Sequence, residues 1–326
     1  MSKKAKVWLI VAASLLLTGI IIFAGVMTML NWDFSKLSTS KYETNEYKIT
    51  EKFNNFSINT TTADICFIAA TDNTCKVICH EQENAKHSVH VQDDTLTIRV
   101  SDNRKWYEYI GIHFTSPKIT VYLPESEYAS LLIKGSTGNV EIPKDFTFTN
   151  TDISLSTGSA KLFSSISGSV KIKTNTGNIR VQSLSAGALD LSVSTGNITV
   201  SDVSCTGDVQ VNVSTGETKL TDVSCKNFKS DGSTGDISLR NVIAAEKFTI
   251  KRSTGDISFE GADAQEIYME ADTGDIRGSL LSDKVFLADS STGKVDVPKT
   301  VTGGKCQVHT DTGDIKITIN PAGLDK

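Results

Sequence analysis

The chain has 326 residues, of which 22% are charged, and a formal net charge of −5. Three of its positive charges, Lys3, Lys4 and Lys6, lie at the N-terminus, so the rest of the chain carries −8. An acidic surface is repelled by phosphate backbones, which argues against nucleic acid as a partner.

The first predicted element is a transmembrane helix over 7–30. This stretch carries no charge, and as a helix it would be about 36 Å long, enough to cross a bilayer. The preceding lysines place the tail 1–6 in the cytoplasm, and Trp8 and Trp32 mark the two interfaces. A cleaved signal peptide is the competing interpretation, but the residues after Leu30 form a poor cleavage site. We therefore expect a single-pass cell-membrane protein with an extracytoplasmic C-terminal domain.

Residues 31–47 are polar and unpatterned, which predicts a stalk. From 48 to 125 strand-like alternation appears between irregular loops, which predicts irregular first coils and an N-terminal cap. Thr62-Ala63-Asp64-Ile65 resembles the later repeat corners with Ala in place of Gly. The sequence separation between Ala63 and Gly138 is close to four repeat periods, so we expect several coils in this region.

A Thr-Gly pair recurs ten times between 126 and 320, with successive glycines at a nearly constant spacing of about 20 residues. The glycines are Gly138, Gly158, Gly177, Gly196, Gly216, Gly235, Gly255, Gly274, Gly293 and Gly313. Apolar residues alternate with polar ones on both sides of each pair, as in Ile198 and Val200. A period that holds from the first of these glycines to the last indicates one structural unit stacked on copies of itself.

Each unit is predicted to be two short strands joined at the Thr-Gly corner and closed by a second turn, as at Cys205-Thr206-Gly207. Because a two-stranded unit cannot bury one face alone, the units should stack about 4.8 Å apart. The predicted fold is all-β: a single-stranded parallel β-helix, or β-solenoid, with about 19–20 residues per coil after one transmembrane helix. An antiparallel meander and a propeller fit the strict spacing less well. Residues 321–326 form a C-terminal tail. The corner residues singled out are Thr195, Gly196, Thr215, Gly216, Thr234, Gly235, Thr254 and Gly255.

Asp236, Asp256 and Asp275 follow the glycine in three consecutive units and should stack on one another. Calcium could bridge such a column. The simpler interpretation is solvated turn carboxylates that accept backbone N–H groups, since Asn178 and Asn197 occupy the same position. We therefore expect no metal site and no cofactor.

Cys205 and Cys225 both lie nine residues after a repeat glycine, so they should be neighbours at disulfide distance. A disulfide and a reduced pair fit this spacing equally well. Cys75 and Cys79 resemble half a zinc site, but only His80 and His87 are near them in sequence.

The segment 104–114 is the densest aromatic stretch of the chain. Trp106, Tyr107 and Tyr109 could form an exposed contact patch, because aromatic residues favour interfaces. They could also fold over the end of the solenoid as part of its cap. No histidine has a Ser or Cys partner at a recognisable catalytic spacing, so we expect no catalytic residues and no enzyme.

Val121-Tyr122-Leu123-Pro124 and the Ser-Thr-Gly-Asp-Ile units at 233–237 and 253–257 carry a resemblance to the bacterial "putative adhesin" family, a β-strand-repeat domain of unknown function. The resemblance extends from about residue 50 to the C-terminus. It implies an envelope-associated solenoid with an N-terminal membrane helix, and it supplies no catalytic residue.

These observations predict a structural or binding, adhesin-like module at the cell envelope, with an envelope polymer or envelope protein as partner. The alternative is a tethered modulator of an envelope-stress signalling system. A carbohydrate-acting β-helix enzyme would need clustered acidic and basic residues on one outer face. Arg180, Arg240, Arg252 and Arg277 instead look scattered along the sequence.

Overall fold

The structure, a computed structural model, describes residues 2–37, 41–72, 74–106 and 115–321. Helix α1 (Lys3–Met29) has a mean hydropathy of 2.6 over its most apolar 18 residues, none of which is buried. It is long and apolar enough to cross a membrane, a property it shares with signal sequences. A 3-10 helix (Phe34–Leu37) follows it.

The rest of the described chain is one sheet of 24 strands. The N-terminal region holds β1 (Tyr42–Ile49), β2 (Asn55–Thr62), β3 (Asp64–Ala69), β4 (Cys75–Gln82), β5 (Ala85–Gln92), β6 (Thr95–Asp102) and β7 (Lys118–Leu123). The central coils hold β8 (Glu127–Thr137), β9 (Val140–Ile142), β10 (Thr147–Thr157), β11 (Ala160–Leu162), β12 (Ser165–Thr176), β13 (Ile179–Thr195), β14 (Ile198–Cys205), β15 (Val209–Thr215), β16 (Thr218–Thr234), β17 (Ile237–Thr254), β18 (Ile257–Ala262), β19 (Glu266–Thr273) and β20 (Ile276–Leu280). The last coils hold β21 (Lys284–Thr292), β22 (Val295–Asp296), β23 (Gly304–Thr312) and β24 (Ile315–Ile319).

The central coils confirm the predicted β-solenoid. Equivalent residues of successive coils pair in parallel, so that Ile237 lies opposite both Thr218 and Ile257. The alternating side chains that point inward are buried almost completely, and the column of Ile198, Ile237 and Ile257 is fully inaccessible. Stacking therefore gives each thin coil a core that it could not form alone.

Each of four central coils bends at a position that the sequence analysis missed, six residues after the repeat glycine. The residues at this bend are Ser183, Asp202, Asp222 and Asn241, with φ between 52° and 54°. The strand register skips them, because Gln182 pairs with Ser201 and the next pair is Leu184 with Val203. A coil therefore has three strand segments, separated by the Thr-Gly corner, this bend and a turn such as that at Thr206-Gly207.

At the N-terminal end, the predicted degenerate corner is a true corner of the solenoid. Thr62 pairs with Thr137 and Ile65 with Val140, so Ala63 belongs to the coil directly beside that of Gly138. The two corners are thus one coil step apart in space, rather than the four steps that their sequence separation suggested. The chain between them leaves the stack and returns to it.

The excursion builds the outer end of the solenoid. Strands β6 and β7 form a further coil on the far side of β2 and β3, to which they are parallel. Strands β5 and β4 then pair antiparallel with β6 and β7, and β1 pairs antiparallel with β4. This antiparallel layer, which we call the cap, ends the parallel stack. Because β1 begins at Tyr42, the segment expected as a stalk over 31–47 already enters the sheet there.

At the C-terminal end the order of coils in space differs from their order in the chain. Strand β23 pairs with β19 on one side and with β21 on the other, and β24 pairs with β20 and β22. The coil of Gly313 therefore lies between those of Gly274 and Gly293. Nothing in the sequence marks this exchange, since the repeat spacing is the same there as in the central coils.

Candidate functional site

The Thr-Gly corners form a backbone ladder along the solenoid. The N–H of Gly196 donates to the carbonyl of Thr215 at 2.9 Å, and the N–H of Gly216 donates to Thr234 in the same way. Gly196 has a φ of 140°, and a Cβ added there would lie 2.0 Å from the carbonyl oxygen of Gly177. Neither the conformation nor the space admits a side chain, so the glycine column is explained by stacking alone.

The residue after each glycine forms a second ladder. The side-chain oxygen of one coil accepts the backbone N–H of the equivalent residue in the next coil, as in Asn197 N–H to Asn178 Oδ1 at 2.8 Å. Asp236 and Asp256 accept from Asp256 and Asp275, both at 2.8 Å. This accounts for Asp at these positions without an ion. Among the described residues, the three aspartates do not form a cluster of ligand atoms close enough for shared metal binding.

Cys205 and Cys225 lie at the ends of adjacent, paired segments, and both are buried free thiols. Burial raises the pKa of Cys205 to about 11 and that of Cys225 to about 12. Such thiols are poor nucleophiles at neutral pH. A disulfide between them stays a prediction.

Of the predicted aromatic contact patch, only Trp106 lies within the described residues, and 76% of its surface is exposed. Tyr107 and Tyr109 lie outside the described part of the chain.

A shallow groove of about 390 Å³ crosses one side of the solenoid. This side, which we call the entry face, consists of the outward side chains of the segments that run into the Thr-Gly corners, such as β15. Five successive coils contribute one residue each to the groove from a single column: Ser192, Asn212, Asp231, Lys251 and Glu270. Four steps of about 4.8 Å make this column about 19 Å long.

Hydroxyl, amide and charged groups line the groove, together with Val193 and Val213. Lys251 Nζ lies 2.7 Å from Glu270 and 5.1 Å from the ring centroid of Tyr268, whose hydroxyl donates to Glu270 at 2.8 Å. These hydrogen bonds, from Lys251 first, lower the pKa of Glu270. Ser214, Ser233 and Ser253 extend the polar lining at the rim. The groove can thus donate and accept hydrogen bonds along its length.

The side chain of Arg252 points into the solenoid and lies beneath this groove. From the sequence it had been grouped with arginines scattered over the surface. Its side chain is 3% exposed and bonds Ser230 Oγ at 2.9 Å and Thr218 Oγ1 at 3.3 Å. No carboxylate lies within ion-pair distance among the described residues. Burial lowers its pKa to about 10. The guanidinium occupies the space above Gly232, where a Cβ would lie 2.4 Å from Nη1.

The cap contains a buried polar cluster that sequence analysis found only in part. The side chains of Glu81 and His87 are 0% and 3% exposed, and Glu81 Oε2 lies 2.6 Å from His87 Nδ1. Glu81 also accepts the backbone N–H of His87 at 2.6 Å and the amide of Asn45 at 2.7 Å. Burial opposes ionisation of Glu81, but the hydrogen bonds from His87 and Asn45 outweigh it and keep its pKa below the usual value.

Cys79 completes this cluster, since its Sγ lies within 4.8 Å of ligand atoms of both Glu81 and His87. Cys75 and His80, which lie near Cys79 and His87 in sequence, are not part of this cluster. His80 instead stacks on Tyr42 at the surface of β1, with ring centroids 5.3 Å apart. Glu81 was not singled out from the sequence, because a lone acidic residue in a strand carries no signal of its own. The one available clue was its two-residue spacing from Cys79, which puts both side chains on the same face of β4.

Comparisons with known proteins find one matching family and several similar solved structures. The family model described as Toastrack DUF4097 matches residues 53–212 and 204–325. A crystal structure of a "putative lipid binding protein" from Parabacteroides distasonis is 17% identical, with a TM-score of 0.50, and the alignment covers 86% of this chain and 98% of that one. A "putative adhesin" from the same organism is 14% identical (TM-score 0.47; 83% and 98% covered), and one from Bacteroides fragilis is 16% identical (TM-score 0.38; 85% and 97% covered). No curated protein matches the chain.

Proposed function

The chain belongs to the Toastrack DUF4097 family, and from that premise we propose that it is a membrane-anchored, adhesin-like module. In this proposal the groove on the entry face binds a hydroxyl-rich polymer of the cell envelope. The role is binding rather than catalysis.

The observation that carries the proposal is the column of polar residues in the groove. Ser192, Asn212, Asp231 and the residues that follow repeat at the coil spacing on a rigid sheet. A regular row of donors and acceptors suits a ligand that repeats along its own length, as a polysaccharide does. Each contact is weak, but several contacts in register give a much higher overall affinity, because the second and later contacts form within an already bound complex.

The anchor is the second part of the proposal. Helix α1 follows three lysines, which favours a cytoplasmic N-terminus and a solenoid outside the membrane. A Thr199→Cys variant in a Cys66→Ser background tests this orientation, since Thr199 is an outward residue of a central coil and Cys66 is a partly buried native thiol. A membrane-impermeant maleimide should label this cysteine in intact cells. Labelling only after lysis would contradict the proposed topology.

Sedimentation of the detergent-solubilised full chain with insoluble bacterial wall polymer, and separately with membrane vesicles, tests the binding role. Asn212→Arg places a bulky cation in the middle of the groove and should weaken binding to wall polymer about tenfold, which is ~1.4 kcal/mol. Thr199→Arg is the matched control. It is as exposed as Asn212 and lies in an adjacent coil, but on the segment that leaves the Thr-Gly corner.

Equal binding by both arginine variants and the unmodified chain would contradict the groove as the binding site. Failure of the unmodified chain to sediment with wall polymer would contradict the proposed ligand class. Recovery of one membrane protein by crosslinking in cells, without wall binding, would favour the signalling alternative. Running each assay with and without calcium shows whether the aspartate column has any part in it.

A further inference from the structure

We propose that Cys79, Glu81 and His87 form a binding site for one divalent transition-metal ion, and that zinc matches their donor set best. The three supply one sulfur, one oxygen and one nitrogen, all buried and all within 4.8 Å of one another. Thiolate, imidazole and carboxylate are the ligands that zinc takes in proteins. The site is independent of the groove and of the binding role proposed above.

Local structure brings the three ligands together. Cys79 and Glu81 are two residues apart on β4 and therefore point to the same, inward side of the strand. His87 enters from β5, the next strand of the hairpin, and its backbone N–H fixes Glu81 Oε2. All three ligands thus lie on strands rather than in a loop, and these strands are held by pairing of β4 with β1 and β7 and of β5 with β6.

Two neighbours are placed as outer-shell partners of a metal site. Thr60 Oγ1 lies 3.0 Å from His87 Nε2, which leaves Nδ1 as the nitrogen that faces Glu81 and Cys79. Asn45 donates to the other carboxylate oxygen, which leaves Oε2 to face inward. Metal-bound histidines and carboxylates in proteins are usually oriented by such second contacts.

The geometry needs only a small adjustment to admit the ion. Bonds of about 2.0–2.3 Å in a tetrahedron hold donor atoms roughly 3.3–3.6 Å apart. His87 Nδ1 and Glu81 Oε2, now 2.6 Å apart, would open by less than about 1 Å. The Cys79 sulfur lies within 4.8 Å of ligand atoms of both residues.

Charge balance also favours a divalent ion. Binding forms one bond each to sulfur, oxygen and nitrogen. The Cys79 thiol releases its proton to solvent, and the imidazole proton moves from Nδ1 to Nε2, which donates to Thr60. One thiolate and one carboxylate then neutralise the two charges of the ion, so no net charge is buried. The ion would tie β4 to β5 directly, and to β1 and β2 through Asn45 and Thr60.

Cobalt titration of the full chain, solubilised in detergent and freed of metal by a chelator, tests the site. One equivalent of Co²⁺ should produce a thiolate-to-cobalt absorption band, and zinc should displace it. The band should be lost in Cys79→Ser but kept in Cys306→Ser, whose thiol is equally buried in the solenoid away from the cluster. Far-ultraviolet circular dichroism establishes that each variant is folded.

Asn45→Ala should bind about 10- to 100-fold more weakly while keeping the band, the effect usual for an outer-shell partner. Zinc should raise the melting temperature of the unmodified chain and of Cys306→Ser, but not of Cys79→Ser. Absence of stoichiometric binding, or an unchanged band and affinity in folded Cys79→Ser, would overturn the proposal.

Discussion

Replacing Gly196 by alanine is the most direct test of why glycine recurs in this chain. Gly196 lies in the middle of the ladder, with complete coils on both sides. The substitution adds a single methyl group at a partly exposed corner and changes neither charge nor hydrogen-bonding groups. A conventional surface site would tolerate it within about 0.5 kcal/mol.

Two costs arise at this corner. Holding alanine at a φ of 140° costs about 1–3 kcal/mol. The new Cβ would also lie 2.0 Å from the carbonyl oxygen of Gly177, at least 1 Å closer than real contacts allow, so two coils must separate locally. Overpacking of this kind costs about 1–3 kcal/mol. The free energy of unfolding should therefore fall by roughly 2–6 kcal/mol.

Urea unfolding of the full chain in detergent, followed by circular dichroism, measures this loss as a lower midpoint. Gly135→Ala is the control, because a Cβ there meets only the side chains of Leu155, at 3.0 Å, and Thr60, at 3.9 Å, and no unusual φ is required. The control should lie within about 1 kcal/mol of the unmodified chain. If Gly196→Ala were as stable as Gly135→Ala, steric stacking would not explain the glycine column.

Three further predictions follow from single side chains. Arg252→Met should change the free energy of unfolding by less than about 2 kcal/mol in urea unfolding, because removing a desolvated cation offsets the loss of its hydrogen bonds to the buried Ser230 and Thr218 hydroxyls; a larger loss would contradict this. The hydrogen bond to Asp289 raises the pKa of His309 above 6.5, so the imidazolium's contribution to stability is complete below 6.5 and is lost as pH rises through the folded value. Titration of His309 by NMR should show a lower pKa in Asp289→Asn, and no change would refute the pairing. Cys66, which is only partly buried, should react with maleimide in the folded chain, whereas Cys205 should react only after unfolding; equal rates would contradict the burial.

The repeat and its apolar alternation were sufficient to predict the stacked coils, because the Thr-Gly pair marks ten corners at a nearly constant spacing. The bend six residues later escaped prediction because several small polar residues can adopt a positive φ there, as Ser183 and Asn241 do. A degenerate corner such as that at Ala63 can be recognised in the sequence. Its distance from the next corner along the solenoid cannot, because the residues inserted between them do not all add coils to the stack between the two corners.

The candidate sites were harder to predict, because they depend on strand direction and neighbours. Arg252 resembles any surface arginine in sequence, and only its inward column, next to Gly232, shows that it is buried. His87 was considered with Cys75 and His80 because they are near in sequence, whereas the fold brings its side chain against Glu81 and Cys79.

The order of the last coils tests the stacked architecture most directly. Spin labels at Thr199 and Lys316 should be five coil steps apart, about 24 Å, and labels at Thr199 and Asp296 six steps, about 29 Å. Electron paramagnetic resonance measures the distance between two spin labels. It should therefore give a shorter distance for the 199–316 pair than for the 199–296 pair. The reverse order would contradict the exchange of coils, and broad distributions for both pairs would contradict the solenoid itself.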